Sequence, residues 1–213
     1  ALNSHMANIL LMVFSPSVDL IREDFDSFFD FRIPLADFMA AVIKKSFDVF
    51  LSMGDEGVPI FVNAALLGCQ HPNVDICKRN IQLVFDMVAK VESKAPQAFK
   101  NSFYHALYLQ IVDTVFTIMT DTVHKFAFAE QAKLLQKLFM LETDAKNVQA
   151  IAQLLFNKFP NRTLEFFGCV IQELGKAVHQ YQLFLSMLRD FLIEVKQISK
   201  EDPEMYAEER NEA

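Results

Sequence analysis

The sequence predicts an all-α protein built as an α-solenoid of antiparallel helix pairs. Apolar residues recur at helical spacing through most of the 213 residues, and short polar breaks separate the segments. With 52% hydrophobic residues, 22 Phe and only 5 Gly, the chain can fill a large core but has little material for hairpins. The starts of the second helices of successive pairs are separated by roughly 30–50 residues, which brackets the ~40–47 of HEAT or armadillo repeats. Periodicity alone leaves an all-α bundle open as the alternative.

The charge and the cysteines limit the classes of partner. The formal net charge is −7, with 27 acidic against 20 basic residues, which argues against bulk nucleic-acid binding and tolerates a basic protein partner. The odd number of cysteines, without CxxC spacing, favours a reduced intracellular setting. The longest apolar runs fall short of the ~20 residues that span a bilayer. We expect no membrane insertion and no cofactor.

Prolines and glycines mark the predicted helices of the N-terminal third. Residues 8–14 are helical in pattern, Pro16 kinks or divides that helix, and Ser17 is a candidate cap for residues 18–25. Pro34 is predicted in the first turn of a long helix that ends near Met53. Its buried side is expected to carry Phe38, Val42, Phe47, Phe50 and Leu51. Residues 54–57 are predicted as a turn before a short helix over 59–69.

The remaining predicted helices are separated by short polar or proline-containing breaks. Residues 71–73 and 93–96 bound a helix over 74–91, and residues 142–144 and 160–161 separate three later segments. The helices are expected over residues 74–91, from about 96 or 99 to 124, and over 126–141, 147–159, 164–177 and 178–198. The leucine- and phenylalanine-rich spacing of residues 183–192 is expected to be core.

Residues 103–124 form the most informative predicted helix. Apolar residues cover about two-thirds of its surface, so we expect it to be sandwiched between neighbouring helices as the second helix of a pair. A polar stripe runs down the opposite side and consists of Ala106, Gln110, Asp113, Thr117 and Asp121. Two interpretations are open. The polar stripe is either ordinary solvent-exposed surface on the concave face of the array or a contact surface for a partner.

The predicted domain organisation is one repeat array with two flanking segments. Residues 1–6 look like a cloning remnant, residues 7–200 form the array of about four to five helix pairs, and residues 201–213 form a charged terminal helix at the start of a truncated tail. Residues 9–25 are expected to lack a partner helix, which leaves an apolar face that favours dimerisation of the isolated chain.

No catalytic constellation emerges, and the candidate polar sites have simpler explanations. Cys69, His71 and Cys77 fall within nine residues, but zinc loops need tighter pairs and a fourth ligand, so a metal site is not predicted. His124 is expected to hydrogen-bond a helix end. The basic pairs Lys44-Lys45 and Lys78-Arg79 are expected on solvated faces, with contact to an acidic partner as the alternative.

Two motifs then resemble a known family. The first comprises Phe103-Tyr104, Ile111, Phe116 and Thr120-Asp121-Thr122-x-His124; the second comprises Leu188-Arg189-Asp190-Phe191-Leu192, Lys196, Glu201-Asp202 and Glu208-Glu209-Arg210. In this order they resemble the C-terminal HEAT repeats of the exportin-1 family, within the importin-β superfamily. Residues 157–160 match more weakly. Phe31-Arg32 departs from an expected His-Arg pair, and residues 128–148 match poorly and look shortened.

The resemblance implies a function that composition does not. Members of this family are ring-shaped, non-enzymatic receptors that carry leucine-rich export-signal cargo out of the nucleus with Ran-GTP and shuttle between nucleus and cytoplasm. This chain would supply scaffold and ring-closure surface and, through Gln110, Asp113, Thr117 and Asp121, part of the Ran-facing wall. Nucleoporins are further possible partners. A generic HEAT or armadillo scaffold of another assembly is the alternative, and a helical enzyme ranks below both because no acid/base pair or nucleophile is visible.

Overall fold

Every secondary-structure element in residues 2–24, 27–141 and 145–196, which the computed structural model describes, is helical. One 3₁₀ segment, Thr122–Ala127, follows the sixth helix. The α-helices are α1 Leu2–Glu23, α2 Phe29–Lys45, α3 Phe47–Leu51, α4 Gly54–Cys69, α5 Val74–Lys94, α6 Gln97–Thr120, α7 Phe128–Leu141, α8 Ala145–Lys158, α9 Leu164–Ala177 and α10 Tyr181–Lys196. The all-α prediction is confirmed.

The helices stack in two layers, as in a HEAT-like solenoid. α1, α4, α6 and α8 follow one another in one layer, while α2, α5, α7 and α9 follow one another in the other. The layers are joined most extensively where α4 packs on α5 and α8 on α9, and α10 closes the array against α9 and α7. The starts of α4, α6 and α8 lie 43 residues (54 to 97) and 48 residues (97 to 145) apart, close to the HEAT period.

The observed pairing of helices is shifted by one position along the chain from the predicted pairing: α4 pairs with α5, α6 with α7 and α8 with α9. α6 packs on α7, which follows it, more extensively than on α5, which precedes it, so α6 is the first helix of its pair and not the second. The short link at Ala95-Pro96 joins α5 to α6 without packing them closely. Link length was therefore a poor guide to which neighbours share the larger interface.

Aromatic side chains connect the two ends of the core through α6. In the N-terminal half, ring contacts run from Phe14 through Phe61 and Phe50 to Phe99 and Phe103, with centroid separations of 5.3–6.1 Å. In the C-terminal half, Phe116 contacts Phe191, which contacts Phe167, at 5.8 and 6.4 Å. Such pairs contribute about 0.5–1.5 kcal/mol each beyond the burial of their area. α6 belongs to both series.

The first third of the chain differs most from the predicted elements. α1 continues through Pro16, so Pro16 does not divide it, and Ser17 is not a cap because its Oγ donates to the Val13 carbonyl oxygen at 2.9 Å. Pro34 lies beyond the first turn of α2, which begins at Phe29. The predicted long helix breaks at Ser46 into α2 and α3.

Two further predictions in this region are wrong. Phe38 is 48% exposed, because it lines an open groove between α1 and α2, whereas Val42, Phe47 and Phe50 are buried as expected and Leu51 is partly buried. Residues 54–57 are the first turn of α4 and not a separate turn, with Gly54 at a φ of 70° at the helix start. Gly57 brings α1 close to α4: a Cβ at this position would lie 2.7 Å from Cδ1 of Leu11.

The later elements agree closely with the sequence. α7, α8 and α9 begin and end within about two residues of their predicted bounds, which is the usual scatter between assignments of helix ends. α5 begins as predicted but ends three residues later, at Lys94, and α6 ends four residues before the predicted 124, at Thr120. The 3₁₀ segment occupies the predicted start of the helix over 126–141, and α10 begins at Tyr181 after a turn over residues 178–180. In residues 183–192 the core prediction holds except for Leu183, which is 47% exposed. Residues 142–144 and 201–213 lie outside the described part, and the division at residues 6 and 200 stays a prediction.

A buried arginine closes the corner between α1 and α2. Arg32 is 4% exposed, and its guanidinium donates to three main-chain carbonyl oxygens: Ser27 from Nε at 2.8 Å, and Ile21 and Asp24 from Nη2 at 3.0 and 2.9 Å. The last carbonyls of a helix have no partner within the helix and carry partial negative charge. Arg32 supplies both the donors and the positive charge at the end of α1.

An apolar surface lies at the N-terminal end of the array. A groove of about 480 Å³ runs between α1 and α2, and every residue that lines it is apolar or serine. Met12 and Val13 on α1 are 77% and 67% exposed. Terminal repeats of solenoids need a polar outer face to stay soluble, and this end lacks one.

We expect Arg32→Ala to lower the free energy of unfolding by about 2–4 kcal/mol, because the buried carbonyl oxygen of Ile21 and the partly buried ones of Ser27 and Asp24 lose a charged donor. Urea denaturation followed by circular dichroism measures the change. Arg22→Ala, at an exposed position in the last turn of α1, is the matched control and should shift stability by less than about 0.5 kcal/mol. Equal shifts for the two variants would contradict the capping role of Arg32.

We expect the isolated chain to self-associate through the α1–α2 face, because apolar surface of this kind is buried when a partner is available. Val13→Glu should shift the sedimentation distribution toward the monomer. Asn8→Glu adds the same charge to an exposed position of α1 outside the groove and should leave the distribution unchanged. A chain that is monomeric at all concentrations would refute this expectation.

Candidate partner-binding surface

The polar stripe lies along one edge of α6, between its two neighbours in the same layer, α4 and α8. Its first member, Ala106, is exposed. Gln110 and Thr117 are also exposed, and the side chain of Asp113 is 42% exposed. Asp121 is the residue that follows the last turn of α6, with its side chain 45% exposed. The stripe is therefore open to solvent along about four turns, from Ala106 to Asp121, as predicted.

Three polar members of the stripe nevertheless contact side chains of the neighbouring helices. Gln110 donates from Nε2 to Oδ1 of Asn63 on α4 at 2.6 Å. Lys158, at the end of α8, forms an ion pair with Asp113 at 2.8 Å and donates to Oγ1 of Thr117 at 2.7 Å. The stripe thus lines the seams on both sides of α6. Its side chains orient α4 and α8 and remain accessible from outside.

Thr120, Asp121 and His124 form the corner at the end of α6. The Thr120 hydroxyl donates to the carbonyl oxygen of Phe116 at 2.8 Å. Oδ1 of Asp121 accepts from the amide of Val123 at 3.0 Å, which caps the 3₁₀ segment. Within the Thr-Asp-Thr-x-His motif, Thr120 therefore bonds back to the last turn of α6, and Asp121 caps the element that follows.

His124 connects this corner to the end of α4, which belongs to another repeat. The residue is 4% exposed; its Nε2 lies 3.0 Å from the carbonyl oxygen of Gln70, just after the end of α4, and its Nδ1 lies 3.0 Å from Oδ2 of Asp121. Both partners are acceptors, and one faces each ring nitrogen. Gln131 of α7 donates to the main-chain carbonyl of His124 at 3.1 Å. The prediction that His124 hydrogen-bonds a helix end is confirmed.

The chemistry of Cys69, His71 and Cys77 is that of a core. Both thiols are buried, and Sγ of Cys77 donates to the carbonyl oxygen of Cys69 at 3.1 Å. Burial raises the pKa of Cys69 well above its usual value and that of Cys77 to about 12, so both stay protonated and are poor metal ligands at neutral pH. Nδ1 of His71 accepts from the amide of Asn73. Within the described residues, no three His, Cys, Asp or Glu side chains converge on a possible metal position.

Two of the four candidate basic side chains form ion pairs within the chain. Lys78 of α5 forms an ion pair with Glu130 of α7 at 3.0 Å, and Arg79 forms one with Asp37 of α2 at 2.7 Å. Lys44 and Lys45 are exposed in the last turn of α2.

In the part of the chain that the structure covers, no helix is both long and apolar enough to cross a bilayer.

Comparison with known proteins decides the family. The family model described as "CRM1 C terminal" matches residues 1–200, a range that includes every described residue. The chain belongs to the CRM1 C-terminal family. This confirms the resemblance drawn from residues 103–124 and 188–210.

Relatives of this family are exportins. Protein EXPORTIN 1B of Arabidopsis thaliana is 25% identical over 92% of the chain, and Exportin-1 of Schizosaccharomyces pombe is 24% identical over 96%. Exportin-1 of Drosophila melanogaster is 23% identical over 100% of the chain. The matched region is 20%, 21% and 22% of these three proteins, so the chain spans about a fifth of their length.

The CRM1 C-terminal motif around His124 has a structural role in this chain, and the sequence did not indicate its partners. Gln70 lies 54 residues before His124, and Lys158 lies 41 residues after Thr117. Lys158 falls in the weakly matched residues 157–160, the only signal that could have pointed to it. Contact of Gln110, Asp113, Thr117 and Asp121 with a partner protein stays a prediction.

We expect His124→Ala to lower the free energy of unfolding by about 2–3 kcal/mol, because two partly buried hydrogen bonds are lost: the one to the Gln70 carbonyl oxygen, which joins the end of α4 to the end of α6, and the one to Asp121. Chemical denaturation measures the change. His105→Ala, at an exposed position on α6, is the matched control and should be nearly neutral. A His124 variant as stable as the control would show that the corner does not hold the repeats together.

Proposed function

We propose that the chain is the C-terminal part of a nuclear export receptor that carries leucine-rich export-signal cargo with Ran-GTP. Its membership of the CRM1 C-terminal family over residues 1–200 carries the proposal. The exportin names of relatives about five times as long support it. In such a receptor this chain supplies one stretch of a longer array. The role is mechanical and not enzymatic.

Partners and location follow from the same proposal. Ran-GTP and export cargo bind the full-length receptor, nucleoporins contact it during passage, and it shuttles between nucleus and cytoplasm. Direct nucleic-acid binding is not part of the proposal, in keeping with the net charge of −7. The open α1–α2 groove, with its wholly apolar and serine lining, suits continuation of the array by a preceding helix pair.

The mechanism depends on the seams between repeats. In a solenoid each unit contacts only its neighbours, so a small rotation at one seam leaves the other seams intact. The ion pair between Asp113 and Lys158 is partly exposed and spans the seam between α6 and α8. Exposed pairs of this kind are worth about 0–1 kcal/mol, so they guide a rotation without locking it. Such rotations would open or close a ring around the GTPase and its cargo.

The polar stripe is proposed as part of the wall that faces Ran. It offers Gln110, Asp113, Thr117 and Asp121 on one accessible edge of α6, whose opposite face is buried. Exposed acidic groups steer a partner and set its register more than they add affinity. Asp121 also holds the corner at His124, so Asp113 is the better position at which to test partner contact.

We expect Asp113→Lys in the full-length receptor to weaken Ran-GTP binding by roughly three- to tenfold, mainly through a slower association rate. Surface plasmon resonance at two salt concentrations measures the affinity and the rates. Asp86→Lys, a reversal at an exposed position of α5, controls for net charge.

A second variant separates partner contact from the seam. Lys158→Met breaks the same ion pair but leaves Asp113 in place. If the pair serves only the seam, both variants will change Ran binding equally. Partner contact requires a larger effect of Asp113→Lys, and unchanged binding in that variant would refute the proposed Ran-facing role of the stripe, leaving the family assignment intact.

A further inference from the structure

A second groove lies at the C-terminal end of the described array, between α9 and α10. These helices are joined by three residues and pack against each other. The groove has a volume of about 420 Å³, and its floor is apolar. The floor consists of Phe166, Val170 and Leu174 on α9 and Met187 and Phe191 on α10. These positions are four residues apart, so the apolar floor extends over about two turns of α9, roughly 12 Å, and about one turn of α10, roughly 6 Å.

The charged side chains that line this groove are all acidic. They are Glu173 on α9 and Asp190 and Glu194 on α10. Glu173 pairs with Lys176 and Glu194 with Arg162, both at exposed positions. Asp190 is exposed and has no ion pair within the described residues. Exposed ion pairs contribute little to stability, so a cation from a partner protein can replace Lys176 or Arg162 beside these carboxylates.

We propose that this groove binds an amphipathic helix of a partner protein that carries an apolar stripe flanked by lysine or arginine. An apolar channel between two helices accepts the apolar face of a third, with anchors at i, i+3, i+4 and i+7. The acidic rim then meets the flanking cations. Charge complementarity of this kind selects the partner and fixes its orientation.

Charge also argues against the nearest alternatives. Residues 197–213 carry six acidic and two basic side chains, a net charge of −4 (2 minus 6), so their sequence has the same sign as the rim. A second copy docked symmetrically would place the same acidic patch against itself. Nucleic acid would meet three carboxylates and no basic lining residue. The basic helix is the occupant that fits both the floor and the rim.

The test uses the complete 213-residue chain and a fluorescein-labelled helical peptide with Leu at i, i+3, i+4 and i+7 and Lys at the flanking positions. A matched peptide has Glu in place of every Lys. Fluorescence anisotropy should show binding of the Lys peptide, on the order of 10 µM, and at least tenfold weaker binding of the Glu peptide. Asp190→Lys should weaken binding of the Lys peptide by about tenfold, whereas Asp86→Lys should not.

Cys169 reports where the peptide binds. It lies in the groove and is exposed, whereas Cys69 and Cys77 are buried. Saturating Lys peptide should slow alkylation of Cys169 by iodoacetamide at least about fivefold, because the bound helix covers it. Unchanged alkylation would place the peptide elsewhere and overturn the proposal. So would equal affinity for the two peptides, or equal effects of Asp190→Lys and Asp86→Lys with the fold retained by circular dichroism.

Discussion

The burial of the apolar face of α6 is the constraint on which this array depends. Its aromatic side chains belong to both ring series: Phe99 and Phe103 continue the series from Phe14, and Phe116 begins the one that reaches Phe167. Apolar packing has no direction of its own, so many arrangements would bury these rings equally well. The polar edge of α6 selects among them. Asn63 and Lys158 must come to that edge, and their positions fix the sides on which α4 and α8 lie.

The corner at His124 adds a different kind of specificity. Hydrogen bonds between buried groups contribute modestly when made and cost more when left unmade. His124 reaches the carbonyl of Gln70 only if the end of α6 lies beside the end of α4. Arg32 acts in the same way at the end of α1. In both places a charged or polar side chain satisfies helix-end carbonyls, and a connection between elements gains a defined geometry that apolar packing would not supply.

Local patterns in the sequence were enough to predict the helices but not their neighbours. Periodicity indicated the buried faces of α5, α6 and α10, because a helix repeats its environment every few residues. It placed Phe38 in the core, since spacing cannot say whether a helix covers that face. The break at Ser46 and the helical start at Gly54 depend on packing of α3 and α4, which no local signal reveals. The polar stripe was predictable as a surface. Its partners Asn63 and Lys158 lie 47 and 41 residues away from Gln110 and Thr117 and were not.

The one-dimensional stacking has a consequence for how the array opens. Among the described helices, a central one such as α6 has neighbours on both sides, whereas α1 and α10 are the first and last of the stack. In a linear array the free energy of opening a unit is set by its own stability and its adjacent interfaces. Amide protons near the ends can therefore exchange with solvent through local fraying, while those of α5 and α6 exchange only when a larger cooperative unit opens. Local unfolding is therefore easiest at the two ends of the described array, and these are also the places where the two apolar grooves lie.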